Sequence, residues 1–87
     1  MMFYPYCTIN NSIEVVHTPL NNNKTLVHFE EPDAIVGFKT LDCIIPGYQI
    51  SNITGFSQEE INFLVQFCRN NAHLLLEYAS KGGIANA

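Results

Sequence analysis

The sequence predicts an α+β fold, an antiparallel β-meander of three to five strands packed on one long C-terminal α-helix. Residues within about 3–50 form short apolar/polar alternating runs, separated by Asn and Pro turn signals. Residues 58–81 switch to a helical period with explicit end signals. Neither element can bury its own apolar face, so each must cover the other. At 87 residues the chain makes one domain, 1–87, with room for one small core.

The first run, "MFYPYCTI", is aromatic and β-prone, but Pro5 cannot donate to a ladder, which places it at a sheet edge. Asn10-Asn11 turn the chain into "SIEVVH", where Ile13 and Val15 share a face. "TPLNNN" reads as a loop. In "KTLVHFEE", Val27 and Phe29 lie opposite Leu26, His28 and Glu30. A hairpin turn at Pro32-Asp33 would bring Val36 and Phe38 of "AIVGFK" onto the face of Val27 and Phe29, the expected core side. "CIIPGYQI" is a short strand, a Pro46-Gly47 turn and an extended approach to the helix.

Ser57 is the expected N-cap, with Glu60 completing a capping box and Phe56 and Ile61 forming a hydrophobic staple. Glu59 and Glu60 also suit the positive end of the helix dipole. Lys81 and Gly82-Gly83 mark the stop, which leaves 82–87 as a frayed tail.

Spaced at ~100° per residue, the helix divides into three stripes. Ile61, Leu64, Val65, Cys68, Ala72, Leu75, Leu76 and Ala79 form the core face. Asn62, Gln66, Arg69, His73, Glu77 and Ser80 form a polar one. Phe63, Phe67, Leu74 and Tyr78 widen the apolar arc to roughly 200°, beyond what one small sheet covers unless its aromatic first segment wraps over them. These four side chains are the candidate protein-binding residues.

Composition narrows the function classes. A net charge of −4 and four dispersed cations disfavour nucleic acid. Only 14% of residues are charged and ten are Asn, so neighbouring copies repel weakly. Three cysteines without a CxxC pair read as reduced thiols in a cytoplasmic protein. No leader pattern and no apolar run of about 18 residues occurs, so neither a signal peptide nor a membrane span is expected. His17 and His28 could sit on neighbouring strands and share a metal with a thiol, but close ligand pairs such as HxxxH are missing, so no metal or other cofactor is expected. Cys68 falls mid-helix on the core stripe, a packing position rather than a nucleophile's. No phosphate-binding or nucleophile-elbow motif is present, and no catalytic residue is assigned.

"GFSQEEINFLVQFCRNNAHLLLEYAS" resembles a family of small bacterial proteins of unknown function, with an N-terminal β-meander followed by a Ser-capped helix. Gly55, Phe56, Ser57, Glu60, Ile61, Asn71, Leu75 and Leu76 fit its helix pattern, and His28 stands where the family carries the second histidine of a strand step. Leu26 occupies the first histidine's place. The resemblance implies an accessory component of a bacterial or mobile-element operon, toxin–antitoxin pairs included.

The expected function is therefore a non-catalytic protein–protein interaction module that self-associates through Phe63, Phe67, Leu74 and Tyr78. The alternatives are an inhibitor or antitoxin-like protein from a phage or other mobile element that binds an enzyme or nuclease, and a metal-binding protein or enzyme using His17, His28 and a Cys.

Overall fold

Alternation and turn chemistry set the order of elements in the computed structural model, which describes residues 2–81. Strands β1 (Tyr4–Ile9), β2 (Ile13–Pro19), β3 (Thr25–Asp33), β4 (Gly37–Ile45) and β5 (Gln49–Thr54) precede helix α1 (Gln58–Ser80). The sheet order is β1-β2-β3-β4-β5, and every neighbouring pair is antiparallel. The α+β meander read from the sequence is thus the fold, at five strands.

Short connections make this the natural solution, because each strand folds back on the one just formed. Asn supplies the special backbone geometry they need. Asn10 and Asn11 after β1, and Asn22 and Asn23 after β2, take positive φ, which Asn tolerates better than most residues; Asn52 does so within β5.

The core lies between one sheet face and α1. Val15, Val27, Phe29, Leu41, Cys43 and Ile45 are buried from the sheet side; Ile61, Leu64, Cys68 and Leu75 meet them from the helix. The helix lies across β2, β3 and β4. Its core stripe follows the sequence pattern, with Val65, Ala72 and Leu76 half-buried beside the fully buried positions. Cys43 and Cys68 meet inside this layer. Hydrogen bonding to Cys43 and burial together hold Cys68 as the neutral thiol.

The start of α1 follows its capping signals. Ser57 Oγ accepts the Glu60 N–H at 3.2 Å, while the Ser57 N–H donates to Glu60 Oε1 at 2.8 Å. Phe56 and Ile61 are both buried, as a staple requires. Just before the cap, Gly55 has φ +81°, and a Cβ there would lie 2.8 Å from Lys39 Cγ. Both the backbone and the space demand glycine at this junction. The Gly82-Gly83 stop and the frayed tail lie outside the described residues.

One expected register is overturned. A turn at Pro32-Asp33 would have paired Phe29 with Val36, but β3 runs on to Asp33 and the turn falls at Ala34–Val36. Asp33 Oδ2 accepts the N–H groups of Ile35 and Val36, each at 3.0 Å, and Gly37 follows at φ +86°. Phe29 therefore pairs with Leu41, and Phe38 with Pro32. The shift is odd, so it reverses the facing of the whole strand. Leu41, Cys43 and Ile45 enter the core, while Val36 and Phe38 leave it for solvent. Two boundaries also move: Thr18-Pro19 extend β2, and the approach to the helix is a full strand, β5.

Ser57→Ala removes one half of the capping box and should lower unfolding free energy by about 1 kcal/mol, read by urea denaturation. Ser57→Asp, which can still accept the Glu60 N–H, should lose much less.

Candidate functional site

The four-residue helix stripe does not stay together. Phe63 and Leu74 are exposed, at 52% and 39%. Phe67 and Tyr78 are half-buried beneath Tyr6 of β1, whose ring lies 6.2 Å from Phe67 and 6.3 Å from Tyr78. Phe67 also meets Phe29 edge-on at 5.9 Å, which ties it to the core. Tyr6 is fixed in turn by its hydroxyl, which donates to Asn71 Oδ1 at 2.7 Å. Asn71 Nδ2 donates to the Phe67 carbonyl. The aromatic first strand wraps over half of the stripe. Its clue in the sequence was the inward spacing of Tyr4 and Tyr6.

A second apolar feature escaped the sequence reading because it depends on the shifted hairpin. Ile35 at the β3–β4 tip is 93% exposed, with Val36 at 47% and Phe38 at 52%. In an antiparallel meander this tip shares one end of the molecule with the β1–β2 turn and the start of α1, which carries Phe63. Shallow cavities flank the β1–β2 turn at that end. One, of about 280 Å³, is bounded by Asn10, Ile13, Phe63 and Leu64. The other, about 430 Å³, lies between Asn11, Glu14, Glu30, Pro32 and Phe38.

The charges of this end are mostly acidic. The N–H groups of Val36 and then Ile35 hold the Asp33 carboxyl below the usual carboxylate range. The Ser57 N–H does the same for Glu60. Lys39 bridges Glu31 at 3.7 Å and Glu60 at 3.6 Å, which ties β4 to β3 and to α1.

The sheet face away from α1 holds a polar network. His28 Nδ1 is 2.5 Å from Asp42 Oδ1, and His28 Nε2 is 3.2 Å from Glu30 Oε1. Asp42 Oδ2 accepts from Asn52 Nδ2 at 2.7 Å, so three strands are joined. Burial acts to lower the His28 pKa, but the hydrogen bonds to Asp42 and Glu30 prevail and raise it. A protonated ring donates to both carboxylates. An Asp–His pair is also the start of a catalytic relay, but the second ring nitrogen here meets Glu30 rather than a hydroxyl or thiol.

The two candidate metal ligands do not converge. His17 pairs with Val27 and His28 with Val16, so the rings project from opposite faces of the sheet. His17 is fully buried beneath Tyr4 and Tyr6, whereas His28 is on the open face. Among the described residues, no group of three His, Cys, Asp or Glu side chains could hold a metal ion. The shared site considered from the sequence fails because adjacent strands offset these histidines by one residue. No helix among the described residues is long and apolar enough to cross a membrane.

His28 predicts a pH dependence with a definite sign. Its folded pKa is raised, so its stabilisation is fully present below the unfolded histidine range and is lost as pH rises through the folded value. Urea unfolding at pH 6 and pH 8.5 should show wild type losing more stability over this interval than His28→Gln. Asp42→Asn should weaken the same dependence, because it removes the charge that favours the imidazolium. No family model matches the chain, and no curated protein or solved structure matches it either, so its residues alone carry the functional reading.

Proposed function

We propose that the chain is a small non-catalytic protein-interaction module that pairs with a second copy of itself through its hairpin end. The observation that supports this is the exposure of Ile35, Val36, Phe38 and Phe63 at one end of the molecule. A protruding Ile35 at the same end as two shallow cavities suits an isologous contact, in which the tip of each copy enters a cavity of the other. Burying each of these side chains is worth roughly 1.5–3 kcal/mol in principle. The low charge of the surface opposes such pairing only weakly. Three free thiols fit a reducing, cytoplasmic setting.

Glu14, Glu30 and Asp33 around the same end favour a second reading. Their negative charge suits a partner with a basic rim, such as an enzyme or nuclease that the chain would inhibit in the manner of an antitoxin. Catalysis by this chain itself has less support, because the His28 pair lacks a nucleophile partner among the described residues.

Sedimentation across a concentration series tests the self-association. Wild type should dimerise, and Ile35→Glu or Phe63→Glu should each weaken dimerisation by at least about tenfold while leaving the thermal midpoint nearly unchanged. Added salt should strengthen the dimer by screening Glu14 and Glu30. Phe67→Glu should instead lower stability, since Phe67 lies between Tyr6 and Phe29. A wild type that stays monomeric at all concentrations, or glutamate variants that pair unchanged, would refute pairing through this end.

A further inference from the structure

We propose that His17 is an acid-operated latch for β1: protonation expels its ring from beneath Tyr4 and Tyr6, frees β1 from β2 and α1, and uncovers Phe67 and Tyr78. The geometry is independent of the hairpin end and does not rest on the pairing proposed for it.

His17 is 0% exposed, and neither ring nitrogen has a hydrogen-bond partner among the described residues. A neutral imidazole already leaves one donor and one acceptor unpaired in that position. A protonated ring would leave two donors and a full charge unpaired, which a closed apolar site does not hold. The groups that face the ring offer no relief. From β1 come Tyr4, with ring centroids 6.3 Å apart, and Tyr6, edge-on at 5.9 Å. From β3 comes Val27, its partner in register, and from α1 Tyr78 reaches the site through its contact with Tyr6. Neither these tyrosines nor Val27 brings a carboxylate to the ring. The ring's proton affinity is lowered by burial, with no opposing carboxylate among the described residues.

The route to water determines which element moves. His17 lies on β2, between β1 and β3. On the β3 side is the core, formed by Val27, Phe29 and Leu41. On the other side, among the described residues, is only β1, an edge strand whose register slips between Pro5 and Cys7 and whose Pro5 has no N–H. Side-chain bonds from Tyr6 to Asn71 and from Thr18 Oγ1 to the Met2 carbonyl help to hold this segment down. Swinging β1 away places His17 on the new edge of the sheet, where both nitrogens reach solvent. The same movement lifts Tyr6 from Phe67 and Tyr78. These then join Phe63 and Leu74 in a continuous apolar stripe on α1.

The sign follows from the closed state binding the proton more weakly than the open one. The opening equilibrium therefore rises as pH falls below about 6.5, by up to tenfold per pH unit, until the closed ring also titrates. His28 lies on the far face of β3 and keeps its carboxylate partners through the opening. The Asp33 and Glu60 carboxyls titrate below this window, since both are lowered.

Amide hydrogen exchange, corrected for intrinsic rates, tests the latch at pH 7 and pH 5 on wild type and His17→Leu. In wild type, residues 4–9 should lose protection by about tenfold or more on acidification, while residues 38–45 keep theirs. His17→Leu should show no pH-dependent change in β1. Equal β1 protection at both pH values, joint loosening of β1 and β4, or an unchanged pH response in His17→Leu would each overturn the proposal. If the variant does not fold, the NMR titration of the His17 ring in wild type decides. Titration coincident with β1 opening supports the latch, and protonation while β1 stays protected refutes it.

Discussion

One helix must cover a five-stranded sheet, and most of the molecule's other features follow from that shortage. α1 lies across β2, β3 and β4, and its buried stripe closes the core formed by Val27, Phe29, Leu41 and Cys43. The flanks are covered by other means. On the β1 side, Tyr6 reaches over Phe67 and Tyr78 and bonds to Asn71. On the β5 side, the Arg69 guanidinium lies 4.2 Å from the centre of the Tyr48 ring, in the turn that follows β4. Among the described residues, no helix covers the far face. There, His28, Asp42, Asn52 and Glu30 satisfy one another in a part-buried network. Mutual hydrogen bonding offsets the desolvation of the buried Asp42 and the part-buried His28.

Much of this was legible in the residues, in proportion to how local the cause was. The meander, the edge position of Pro5 and the helix start at Ser57 depend on neighbours a few residues away, and they occur as expected. The β3–β4 hairpin depends on whether Pro32-Asp33 or Asp33–Gly37 makes the turn. Pro32 drew attention as a turn former, yet it sits within β3, where the side chain of Asp33 and the positive φ of Gly37 take over the reversal. That difference moved Val36 and Phe38 from the expected core to solvent, and it hid the hairpin end. The burial of Phe67 and Tyr78 stayed an open alternative for another reason. Helical periodicity identifies an apolar stripe, but a strand some sixty residues earlier in the chain decides what lies on it. Phe63 and Leu74, beyond the reach of Tyr6, stayed exposed as the surplus apolar arc implied.

The two histidines show how one residue type serves opposite ends when the pleat separates them. His28 faces carboxylates on the open side, where a proton is welcome. His17 faces tyrosines on the closed side, where a proton has no counter-charge. Acid therefore tightens one face of the sheet and loosens the other.

The chain order of the elements has a further consequence for biosynthesis. All five strands emerge before α1, so the apolar face of the sheet lacks the cover of α1 while they are being made. Translation supplies only about 5–20 residues per second, so that face stays wet for about a second or more before the 23-residue helix follows. During that interval the sheet is most open to chaperones and to wrong partners. Rare synonymous codons within 58–80 would lengthen the exposure without altering the protein, and would raise its tendency to aggregate at birth.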